Sequence, residues 1–102
     1  MIYTIEEIKA KLEPIFATNN IQKAVLFGSY AKGEQTEKSD VDILIDSTGK
    51  LRGLDFFGVL EEIVVALEET PVDLIDMAYL IPGGRTELEI ANTGVVIYEK
   101  QR

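Results

Sequence analysis

One hundred and two residues, 46% of them hydrophobic and 27% charged, suffice for one compact domain with a sizeable core and are too few for two. Cysteine and histidine are both absent, which excludes thiolate and imidazole metal sites, catalytic thiols and any Ser-His-Asp arrangement. Ten Lys and Arg against eighteen Asp and Glu leave a net charge of −8, a surface that repels nucleic acid and anionic membranes.

The chain opens on Thr4-Ile5-Glu6-Glu7, a capping box that predicts a helix start. Ile5, Ile8, Leu12, Ile15 and Phe16 then recur at helical spacing, with Pro14 a candidate kink and Asn19-Asn20 a stop. Ile21 to Phe27 reads as a short apolar strand, and Gly28-Ser29 follows it at once, opening a short helix. Lys32 to Ser39 is wholly polar and predicts a surface loop. Asp40 to Asp46 is a strand, β-branched and apolar between Val41 and Ile45 except for Asp42. After the turn Ser47-Thr48-Gly49-Lys50, the residues Leu54, Phe57, Leu60, Ile63, Val64 and Leu67 mark an amphipathic helix over about 53–69, stopped by Thr70-Pro71. Val72 to Met77 is a third strand. Pro82-Gly83-Gly84 is a turn, Arg85 to Asn92 a helix closed by Gly94, and Val95 to Tyr98 a last strand. Helices alternating with strands predict an α/β (α+β) domain over 1–102, with a small mixed sheet of about four strands. The start of the chain shows no basic stretch before an apolar run, and no apolar run reaches the roughly 18–20 residues of a bilayer span, so a cytoplasmic chain is expected.

Three features carry the chemistry. Gly28-Ser29 joins a strand to a helix, where glycine permits a sharp turn and free N–H groups can meet phosphate; alone, the pair reads equally as a strand-ending turn with a serine cap. Asp40 and Asp42 share one face of their strand, because side chains alternate. Two such carboxylates repel each other unless a cation such as Mg²⁺ lies between them, or unless Asp40 is only a loop cap and Asp42 a solvated edge residue. Asp73 lies in the apolar strand Val72-Asp73-Leu74-Ile75, where an acid is costly unless paired or metal-bound, and it completes a three-carboxylate set if that strand lies beside Asp40–Asp46. Asp76 should face the other side, Asp46 reads as a strand-end cap, and Lys32 as a solvated surface lysine.

Gly28-Ser29, ten residues, then Asp40-Val41-Asp42, with Asp73 as a third acid, resembles the signature of the DNA polymerase β-like nucleotidyltransferases, and over nearly the whole chain that of the minimal nucleotidyltransferase (MNT) proteins. The resemblance implies the nucleotidyltransferase fold, with Gly28 and Ser29 on the nucleotide triphosphate. It also implies Asp40, Asp42 and Asp73 as catalytic residues and ligands of one or two Mg²⁺ ions, with Asp73 helping to deprotonate the incoming hydroxyl. By the same resemblance the chain is the antitoxin of a type VII-like pair, in hetero-oligomer with a HEPN-domain ribonuclease toxin. It would silence that toxin by transferring AMP from ATP to a tyrosine hydroxyl. Two other readings remain at this stage: a non-catalytic antitoxin that neutralises by binding, and a nucleotidyltransferase acting on small molecules.

Overall fold

The structure, a computed structural model, describes residues 2–68 and 70–100. Helix α1 (Ile5–Thr18) opens on the anticipated capping box: the Thr4 hydroxyl accepts from the Glu7 amide at 3.1 Å, and the Glu7 carboxylate accepts from the Thr4 amide at 2.8 Å. The helix runs as one element through Pro14, with Ile8, Leu12 and Phe16 on its buried side. Strand β1 (Lys23–Phe27) leads directly into the one-turn helix α2 (Gly28–Lys32), and β2 (Val41–Asp46) follows the polar loop. Helix α3 (Leu54–Ala66), β3 (Val72–Asp76), a 3₁₀ turn (Met77–Tyr79), α4 (Arg85–Thr93) and β4 (Val95–Glu99) complete the chain.

The strands form one mixed sheet in the order β3-β2-β1-β4. β1 runs antiparallel to both β2 and β4, whereas β2 and β3 are parallel, joined by the α3 crossover. One face carries Ala24, Leu26, Val41, Ile43, Ile45, Leu74 and Ile97, and these pack with Ile8, Leu12 and Phe16 of α1 and Val59 and Ile63 of α3 into the main core. The opposite face carries Val25, Phe27 and Leu44, with Ile75, Leu80 and Ile90 packed against them. One face is therefore thickly covered and the other thinly, and the thin one bears Asp42 and Asp73. Among the described residues no helix is long and apolar enough to cross a membrane.

Two sequence expectations are corrected. The stripe assigned to α3 included Leu54 and Phe57, but these are 87% and 62% exposed; the inward side is Val59 and Ile63, with Phe56, Leu60 and Ala66 beside them. Both apolar sets fit a helical period, and only the position of the sheet selects between them. Gly94 does close α4, but in an extended conformation (φ −65°, ψ 145°) rather than a left-handed one. Its value there is space: a Cβ would stand 2.9 Å from the Val25 side chain.

Candidate active site

The parallel register pairs Asp42 of β2 with Asp73 of β3, so two carboxylates on neighbouring strands stand side by side on the same face, with Cα atoms roughly 5 Å apart. On the other flank of β2, Asp42 is paired with Phe27, the last residue of β1, and Gly28 follows. The strand order thus sets Gly28 and Ser29, then Asp42, then Asp73 across the sheet. Asp40 lies at the mouth of β2, exposed, two residues before Asp42.

Gly28 fits this place for two reasons. Its φ of +73° lies in the left-handed region, and a Cβ built on it would run into the Asp42 carboxylate, 3.1 Å from Asp42 Cγ. The turn therefore packs its bare backbone against the central acid. Tyr30, buried, anchors α2 into the main core, and Gly33 ends the helix in a left-handed conformation (φ 72°). Ser29 is half-buried at the start of α2.

The acids are electrostatically uncompensated. Asp42 is pushed up to about 6, first by burial and then by the like charges of Asp73, Asp40 and Glu89. The ion pair found among the described residues is elsewhere, between Lys32 and Glu34 at 3.6 Å on the surface. Lys32 is thus a solvated lysine, as expected. Among the described residues no three acids are already drawn into a closed metal-binding group, so Asp42 and Asp73 define an open edge rather than a finished cage. Oxygen donors and an excess of negative charge, with no lysine or arginine ion-paired to these acids among the described residues, form a donor set suited to a hard divalent cation.

Glu89 was not singled out from the sequence. It is half-buried on α4, next to Ile90, which packs on the acid-bearing face, and its charge reaches Asp42. The available signal was an acid flanking the apolar residue that seats α4. Asp76 and Asp46 stand apart from the site, as anticipated. Asp76 is buried, 3% exposed, and accepts from Ser47 Oγ at 2.7 Å and from the Ala78 amide at 3.0 Å. Asp46 accepts from the Thr48 amide at 2.9 Å and closes the β2 turn.

Residues 10–102 match the model of the family described as polymerase beta, nucleotidyltransferase. The chain belongs to the polymerase beta nucleotidyltransferase family. Protein adenylyltransferase MntA of Thermococcus cleftensis is 37% identical over 84 residues, 78% of this chain and 84% of that protein. A candidate protein adenylyltransferase of Methanocaldococcus jannaschii, MJ0435, is 50% identical over 42 residues, which span 41% of this chain and 45% of that protein. Among solved structures, a toxin–antitoxin crystal structure with AMP-PNP is similar at a TM-score of 0.72 and 26% identity, over 91% of this chain and 74% of that one. The fold is also that of a chain in the complex of tri-AMPylated Shewanella oneidensis HEPN toxin with MNT antitoxin, at a TM-score of 0.67 and 22% identity, over 96% of this chain and 75% of that one.

Proposed function

We propose that the chain is a protein adenylyltransferase and antitoxin, which transfers AMP from ATP to a tyrosine hydroxyl of a HEPN-domain toxin and so silences it. The observation that carries this reading is the register pair Asp42–Asp73 beside the bare backbone of Gly28. In it, Gly28 and Ser29 present the start of α2 to the phosphates of ATP, close to the central acid. Asp42, Asp40 and Asp73 would hold Mg²⁺, which when bound supplies charge neutralisation at the phosphates and a lowered pKa at the attacking hydroxyl. Asp73, exposed on the outer strand, receives the hydroxyl proton. The tyrosine oxygen forms a bond to the α-phosphorus as the bond from that phosphorus to the pyrophosphate oxygen breaks, leaving AMP on the protein and diphosphate free. The net charge of −8 favours a basic partner, and family relatives that carry the adenylyltransferase name or stand in toxin complexes support the same assignment.

The test is mass spectrometry of a HEPN toxin partner after incubation with the chain, ATP and Mg²⁺. The expected result is one or more AMP additions on tyrosine, reduced about 1,000-fold in rate by Asp42→Asn and by Asp73→Asn as transition-state charge loses its support. Neutralisation of the toxin by those variants at full strength, with no adduct on the wild-type reaction, would instead establish an antitoxin that works by binding alone.

A further inference from the structure

The sheet order leaves the Asp73 side of the acids open. Gly28 and Ser29 occupy the β1 flank of Asp42, while Asp73 stands on β3, the outermost strand. If nucleotide phosphates take the Gly28 side, an in-line acceptor must arrive from the Asp73 side, over the sheet edge.

That side is shaped. A half-open cavity of about 370 Å³ lies between the segment after β3 and the start of α4, with walls that include Ile75, Tyr79, Leu80, Ile81, Gly84 and Arg85. Ile75 is two residues beyond Asp73 on the same sheet face, roughly 6.6 Å along the strand. The cavity therefore opens, at Ile75, on the same sheet face as Asp73 and beside it, although Asp73 itself does not line it. Its space depends on Gly84, whose added Cβ would approach the Ile81 carbonyl oxygen to 3.1 Å. Its outer wall is apolar and unpartnered: Tyr79 is 76% exposed and Ile81 74%. Exposed apolar groups of this size, next to reactive acids, mark a contact surface.

We infer that this cavity is the acceptor side-chain pocket, in which an aromatic ring lies against Ile75, Leu80 and Ile81 with its hydroxyl directed along β3 toward Asp73. The inference rests on the functional reading above and adds a source of selectivity to it. A phenol has an apolar body to fill the cavity and enough length to reach the acid, whereas a serine or threonine hydroxyl has neither. The pocket thus favours tyrosine acceptors; Tyr79 and Ile81 both line it against the ring and, being largely exposed, also meet the partner residues around that tyrosine.

The test separates the pocket from the chemistry. N-acetyltyrosinamide is titrated into the full chain, labelled with ¹⁵N, and backbone amide shifts are followed without ATP. The expected result is saturable perturbation centred on Ile75, Leu80, Ile81 and Gly84, with weak affinity of the order of millimolar. Ile81→Ser and Tyr79→Ser, both at exposed positions, should each weaken it several-fold while amides outside the pocket stay unmoved. N-acetylserinamide should produce no saturable shift there. Perturbation elsewhere, equal response to the serine probe, or affinity unchanged in both variants would overturn the pocket. AMP transfer plays no part in this readout, so a chain that binds the probe but forms no adduct overturns the functional reading alone.

Discussion

Asp42 and Asp76 lie on adjacent strands of one small sheet, and the protein treats them in opposite ways. Asp76 is turned into the thickly covered face, where Ser47 and the Ala78 amide satisfy it. Asp42 is turned to the thin face, where partial burial first, and then the like charges of Asp73, Asp40 and Glu89, hold its carboxyl above the usual range. A buried acid given hydrogen-bond donors is part of the architecture; a half-buried acid set among other acids is one whose charge a cation from outside would neutralise, as proposed above. The comparison teaches that burial alone does not mark a functional carboxylate, and that the company it keeps does.

The contrast breaks most severely at Gly28. Gly28→Ala forces a Cβ into the Asp42 carboxylate at a left-handed φ, and we expect a loss of about 2–3 kcal/mol of stability together with more than tenfold slower AMP transfer. Denaturant unfolding and single-turnover adenylylation on the same preparation measure both. Asp76→Ala acts on the other carboxylate: it strands Ser47 Oγ in the core and uncaps the 3₁₀ turn, costing about 1–3 kcal/mol in urea melts, with the rate at saturating ATP and toxin kept in the fraction that remains folded. Asp76→Asn, whose amide oxygen can still accept from the Ala78 amide but whose NH2 can only donate to Ser47 Oγ, should recover part of that stability.

The smallest effect is the pH dependence, and its sign follows from the direction of the shift. Asp42 rises from 3.8 to about 6 on folding, so the folded chain holds this proton more tightly than the unfolded one. Its contribution is fully present below about pH 3.8 and is lost as pH climbs through 6, in the absence of divalent cation. Because Asp42 is partly solvated, the loss is discounted to the order of 1 kcal/mol. Urea midpoints measured from pH 4 to 7 should show it in the wild type and not in Asp42→Asn.

Much of this was legible in the chain itself, for local reasons. Thr4 and Glu7 determine the start of α1 by their own hydrogen bonds, and the alternation Asp40-Val41-Asp42-Ile43 assigns faces before any partner strand is known. The same parity argument sends Asp76 away from Asp73, as found. What could not be read depends on contacts distant in sequence. Ser47 lies in a turn of polar residues, and only the return of β3 twenty-nine positions later buries it against Asp76. Leu54 and Phe57 resemble core residues until the sheet selects Val59 and Ile63 instead. Glu89 becomes part of the acid field only because α4 folds back over the thin face.

The acids of β2 and β3 are proposed to converge on one cation position beside Gly28. Paramagnetic broadening of backbone amides by substoichiometric Mn²⁺ tests it most directly, because the chain has eighteen acidic side chains and all those outside the site compete with it. The predicted result is broadening centred on Asp42, Asp73 and the Gly28-Ser29 turn, abolished by Asp42→Asn. Broadening scattered over the surface carboxylates, or unchanged in that variant, would contradict the account.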